Sequence, residues 1–115
     1  MNFAQLLSED RRLVILRLLS AAPEYTLNAF VLRPGLEAVG HSVSADQLGT
    51  ELAWLAEQGL LELEAVVNVA VARLTARGAD VATGRVVTPG VKRPEPGVSD
   101  MLALGLGLIR SKMGA

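Results

Sequence analysis

After Gly59 the hydrophobic period of the chain changes from helical to alternating, which obliges the fold to combine helices with a small β element. Leu61 and Leu63 alternate with Glu62 and Glu64, and Val67, Val69 and Val71 follow a turn near residues 65–68. This pattern predicts a β-hairpin. The helices before it must bury aliphatic side chains, because half of the residues are hydrophobic and only 3% are aromatic. With 115 residues the chain suffices for one domain with its own core.

Upstream of Gly59 three helices are expected. The first begins near Ser8, a candidate cap followed by Glu9 and Asp10, and carries Leu13, Val14, Ile15, Leu16, Leu18 and Leu19 on a broad apolar face. Asn2 with Gln5 caps a short turn ahead of it, laying Phe3, Leu6 and Leu7 on the core. Residues 25–27 (Tyr, Thr, Leu) are β-prone, and Asn28 caps a second helix that Pro34 and Gly35 should kink or break. Ser44 and Gln47 have capping-box spacing and open a third helix through Leu48, Leu52, Trp54 and Leu55, with Gly59 as its terminal glycine.

Downstream of the hairpin, Thr75 caps a fourth short helix that stops at Gly84. Pro89, Gly90, Pro94, Pro96 and Gly97 then favour an extended arm. Ser99 and Asp100 are candidate caps for a last, apolar helix. The expected organisation is a domain over 1–84, a Pro/Gly-rich arm over 85–98 and a C-terminal helix over 99–115. The fold class is mainly α with a small β-hairpin, and helix, short strand, helix, helix, hairpin is the order of a winged helix-turn-helix.

Several residues sharpen that likeness. Leu52, Leu55, Gly59, Leu60 and Leu61, then Leu74, Thr75 and Gly78, resemble the run from recognition helix through wing in MarR and ArsR type bacterial regulators. The segments AQLLSEDRRLVILRLL (4–19), LAWLAEQGL (52–60) and TPGVKRP (88–94) look like those of small ArsR-like winged-helix proteins of Mu-like phages and prophages, a resemblance covering about the first 95 residues. It implies no enzymatic activity and a regulatory, DNA-binding role inferred from fold, which is an analogy. Three departures stand out: the intrusion of Pro34 and Gly35, a third helix without the basic residues that related chains carry, and an additional tail over 99–115.

Charge opposes the DNA-binding analogy. Between Gly35 and Ala72 there is no lysine or arginine, only Glu37, Asp46, Glu51, Glu57, Glu62 and Glu64. DNA affinity draws largely on neutralised phosphates, and base readout commonly uses arginine or lysine. The solvent-facing candidates on the third helix are Ala45, Asp46, Gln47, Gly49, Thr50 and Glu51; Gln47 and Thr50 can contact bases, whereas Asp46 and Glu51 would repel phosphates. Positive charge returns later, as Arg73, Arg77, Arg85, Lys92, Arg93, Arg110 and Lys112.

Two functions remain open. One is a nucleic-acid-binding regulator or packaging accessory, with Arg73, Arg77, Arg85, Lys92 and Arg93 on phosphates and Gln47 and Thr50 reading bases. The other is a protein-interaction or oligomerisation module whose acidic face meets a basic partner. The apolar residues Met101, Leu102, Leu104, Leu106, Leu108 and Ile109 are candidate oligomerisation residues, so a homodimer or higher oligomer is expected, although folding back onto the first helix is the competing arrangement.

Blander readings apply to individual residues. Arg11 and Arg12 read as a solvated edge of the first helix, with pairing to nearby acids as a further option, His41 as a turn residue rather than a metal ligand, and Trp54 as core or interface rather than a base-stacking platform. The pair Lys92 and Arg93 is more ordinarily a solvated linker than a phosphate clamp. One histidine, no cysteine and no GxSxG elbow leave no catalytic triad. Gly105 and Gly107 lack the third glycine and the βαβ setting of a dinucleotide fingerprint. A non-enzyme without metal or cofactor is therefore expected. The absence of cysteine suits the cytoplasm of a bacterial host cell, and the longest apolar run, 101–109, is far below the roughly 18 to 20 residues that span a bilayer.

Overall fold

A computed structural model describes residues 2–95 of the chain. Helix α1 spans Phe3–Ala21 and starts five residues before Ser8. Asn2 Oδ1 accepts from the Gln5 backbone N–H at 2.8 Å while Gln5 Oε1 accepts from Asn2 N–H at 3.1 Å. With this capping box satisfying the first-turn donors, the expected separate turn and helix merge into one. Phe3, Leu6 and Leu7 consequently lie on an exposed helical end and not on the core.

A 3-10 turn at Pro23–Tyr25 leads to strand β1, Thr26–Asn28. Asn28 then accepts from the Val31 N–H at 3.0 Å and caps helix α2, Ala29–Ala38. The break expected at Pro34 does not occur. Leu32 and Leu36, on either side of the proline, are both fully buried, and this anchoring outweighs the single backbone bond that proline removes. The neighbouring glycine also has a packing role: a Cβ on Gly35 would stand 3.1 Å from Leu18 Cδ1, so its absence lets α2 close onto α1.

Gly40, at φ 95°, ends that segment, and His41 N–H donates to Leu36 O at 2.9 Å. Helix α3, Ala45–Glu57, opens with the expected Ser44 and Gln47 capping box and is followed by Gly59 at φ 74°. Strands β2 (Leu61–Val66) and β3 (Val69–Leu74) form the hairpin. Its two turn residues, Val67 and Asn68, both have positive φ, the geometry whose twist matches the flanking strands. Thr75 caps helix α4, Ala76–Thr83, which Gly84 terminates at φ 83°.

Sequence-adjacent β2 and β3 pair antiparallel, and β1 adds to the far edge of β3, giving the order β1-β3-β2. The chain is thus a mixed α/β structure, with four α-helices and a three-stranded antiparallel sheet among the described residues, in which the short β-prone segment after the first helix pairs with the hairpin. The arrangement is compatible with a small winged helix. Leu13, Leu16 and Leu19 of α1, Leu32 and Leu36 of α2, and Leu48, Leu52 and Leu55 of α3 meet Leu61, Ala72 and Leu74 from the inner face of the sheet. Each fully buried leucine contributes about 2 kcal/mol by leaving water.

Residues 85–95 lack regular structure but do not stand away as an arm. Arg85 and Val86 N–H groups donate to Asp80 O, the Lys92 N–H donates to Glu9 O, and Thr88 and Val91 are buried. The expected C-terminal helix and its candidate oligomerisation residues lie outside the described residues.

Candidate functional site

The outward face of α3 is the surface on which the two functional readings diverge. Ala45, Asp46, Gln47, Gly49 and Thr50 are exposed as expected, but Glu51 is not, being only 4% exposed. Arg11 Nη1 donates to Glu51 Oε2 at 3.2 Å, and Arg12 Nε donates to Oε1 at 2.9 Å. The carboxylate therefore faces two guanidinium groups of α1, and the charge assigned to a phosphate-repelling surface is internal. Arg11 and Arg12 are thus paired with an acid, as one expectation had it, but largely covered and not a solvated edge. Arg12 also donates from Nη1 to Gly90 O at 2.9 Å and lies 3.9 Å above the centre of the Trp54 ring.

Trp54 is half-buried against the core, and Gly90 rests on it so closely that a Cβ there would meet Cζ2 at 2.6 Å. Glycine is required at this position twice over, by that approach and by its φ of 95°. Arg12 thus connects α1, α3 and the loop at Gly90.

The two candidate base readers are engaged locally. Gln47 Oε1 accepts from Ser44 N–H at 2.9 Å, and Thr50 Oγ1 donates to Asp46 O at 3.0 Å. Gln47 retains its amide donors, and no cation stands on α3.

Among the candidate phosphate contacts, Arg73 projects from the outer face of β3 and donates to Glu62 Oε2 at 2.6 Å, across the registered pair of strands. Glu62, with Glu64 nearby, raises the already high pKa of Arg73. Lys92 Nζ lies 3.4 Å from both Asp10 Oδ1 and Glu95 Oε1. Burial lowers its pKa, but these two carboxylates outweigh that and hold it above 10.5. Arg77, Arg85 and Arg93 are exposed and form no ion pair among the described residues. Arg77 sits in the first turn of α4, while Arg85 and Arg93 adjoin Gly84 and Pro94, where a Cβ on Gly84 would be 3.6 Å from Pro94 Cδ. The candidate set is therefore divided between α3, the sheet, the two ends of α4 and, for Lys92, the side of α1.

One cluster had no signal in the sequence. His41 is 6% exposed, and its Nε2 lies 2.6 Å from Asp10 Oδ2 across 31 positions of chain. Burial pushes the Asp10 carboxyl up, but the hydrogen bond with His41 and the positive charge of Lys92 outweigh it and hold the group below its usual 3.8. A depressed folded-state pKa contributes stability above the unfolded value, and that contribution is lost as pH falls through the folded one. Acidification below about pH 4 should therefore weaken the native state by a route that Asp10→Asn removes. Unfolding curves of the two proteins between about pH 2 and pH 5 should converge at the acid end; a pH-independent difference would contradict the assignment.

Sequence comparison places the chain in a family. Over 91 residues, covering 79% of this chain and 94% of the relative, the sequence is 47% identical to "Uncharacterized protein gp26" of Escherichia phage Mu. The chain belongs to the gp26 family of Mu-like phages. A second relative, an "Uncharacterized protein" of Haemophilus influenzae, is 39% identical over 97 residues, or 84% of this chain and 94% of the relative. No protein-family model matches the chain. No solved structure matches it.

In this gp26-family chain the α3 and hairpin surfaces can attract cationic groups, through Asp46, Glu57, Glu62 and Glu64, whereas Arg77, Arg85 and Arg93 can attract anions elsewhere. Among the described residues no three potential metal ligands cluster, and no helix is long and apolar enough to cross a membrane.

Proposed function

We propose that this gp26-family protein is a non-enzymatic winged-helix interaction module whose acidic α3-and-wing surface binds a basic protein partner rather than DNA. In this reading α2 and α3 form the helix-turn-helix and β2 and β3 the wing. The observation that carries it is the exposure of Asp46 and Glu57 on α3 and of Glu62 and Glu64 on the hairpin. Arg11 and Arg12, the cations that contact α3, are engaged by Glu51, and the helix has no cation of its own. The only cation of the hairpin, Arg73, is paired with Glu62. A duplex approaching this surface would meet like charge, which costs affinity instead of releasing counterions.

A second reading is favoured by Arg77, Arg85 and Arg93, which form no ion pair among the described residues: phosphate contact through the α4 side, with α3 outside the major groove. The two are separated by titrating the full chain with random duplex DNA from about 50 mM salt upward. The module reading expects no measurable binding at the lowest salt. Binding with a steep salt dependence, whose slope decreases by roughly one for each of Arg77, Arg85 and Arg93 replaced by alanine, would overturn it in favour of the second.

A further inference from the structure

The N-terminal turns of α1 outrun the body that supports the rest of the helix. Residues 2–7 are all exposed, with Phe3 at 67%, Leu6 at 54% and Leu7 at 39%. Phe3 and Leu7 lie in line with Val14 and Leu18, which do pack against the core, Leu18 beneath Gly35 of α2, with the ion-paired Asp10 and Arg11 between the two apolar patches. The C-terminal patch therefore has a partner and the N-terminal patch has none among the described residues. Helical turns standing free in water are marginal, so a second surface over them would be stabilising.

The course of the chain indicates what that surface is. Residues 90–92 return to this end of α1: Gly90 O accepts from Arg12, Lys92 N–H donates to Glu9 O at 3.2 Å, and Lys92 Nζ lies 3.4 Å from Asp10. Residues 96–115 follow, and 101–109 carry Met101, Leu102, Leu104, Leu106, Leu108 and Ile109 with no charged residue. Residues 96–100 can span at most about 20 Å. Phe3 is only about 9 Å along the helix axis from Glu9. We infer that the apolar run 101–109 docks in cis on Phe3, Leu6 and Leu7 of its own chain. A tether of this length gives a local concentration in the millimolar range, which favours the same chain over a second copy.

The test is hydrogen exchange on the full chain, with mass by light scattering. In the double variant Leu104→Asp, Leu106→Asp, the backbone amides of Leu6, Leu7, Ser8 and Glu9 should exchange at least about tenfold faster, because a segment held by docking opens when the docked surface is lost. Those of Leu52 and Leu55 should keep their protection. If that variant does not fold, the reciprocal pair Phe3→Asp, Leu7→Asp lies outside the core and decides the matter: amides of 101–109 should then exchange faster. The native chain should be a monomer throughout. Unchanged exchange in the reciprocal pair overturns the inference, and so does a native dimer that either pair dissociates, since the occupant would then be a second copy.

Discussion

Replacing Glu51 by alanine should destabilise the protein by about 3 kcal/mol, because removing one partner of a buried ion pair leaves the opposing charges uncompensated. Two guanidinium groups would be stranded, and they retain some access to water, with 15% and 18% side-chain exposure, which places the loss at the lower end of the range for fully enclosed pairs. Glu51→Gln should cost less, since the amide oxygen still accepts from one arginine. The measurement is the urea midpoint at constant m-value, and equal midpoints for native protein and Glu51→Ala would refute the idea that this triad joins α1 to α3. The same change frees Arg11 and Arg12 beside α3, so its folding effect must be established before any altered binding is interpreted.

Gly78→Ala should be similarly damaging for a steric reason. The glycine lies in the first turn of α4, where an added Cβ would meet Leu74 Cδ1 at 2.7 Å and the carbonyl carbon of Leu60 at 2.9 Å, with the carbonyl oxygen nearer still. That oxygen already accepts from the Thr75 N–H, so the junction of α3, β3 and α4 has little freedom to yield. Overpacking against backbone costs up to roughly 3 kcal/mol, which outweighs the ~1 kcal/mol that alanine gains over glycine in an open helix. The melting temperature should fall by about 10 °C. Gly49, on the exposed face of α3 with nothing within 4 Å of a Cβ, is the control: alanine there should raise stability by about 1 kcal/mol. If both alanines raise the melting temperature, the close approach at Gly78 is wrong.

These two sites differ in how far the sequence foretells them. Gly78 belongs to the run that resembles winged-helix regulators, and Thr75 and Gly84 delimit α4 by local capping chemistry alone. Asn28, Ser44 with Gln47, and the change of period after Gly59 were equally readable, because each depends on atoms three or four residues apart. Glu51 was not. Its spacing puts it beside Leu48 and Leu55 at the border of the buried face, and local sequence cannot say whether solvent or another helix lies there. Pro34 misled for the complementary reason: its local cost was visible, but the burial of Leu32 and Leu36 that overrides it was not. The loop from Pro89 to Pro94 has a composition that favours an extended segment, yet Arg12, Trp54 and Glu9 hold it against the domain.

Sequence by itself determined the caps of α2, α3 and α4, the order of elements, the hairpin and the aliphatic nature of the core, all of which follow from short-range hydrogen bonding and from hydrophobic period. It also displayed the positive charge missing between Gly35 and Ala72. Only the tertiary structure decided where those charges act. Glu51 turns inward onto Arg11 and Arg12, Asp10 is shared between His41 and Lys92, and Arg77, Arg85 and Arg93 stay unpaired among the described residues. The reason is that the electrostatic effect of a charged group depends on its distance to other charges and on its exposure to water, and both are set by residues 30 to 80 positions away in the chain.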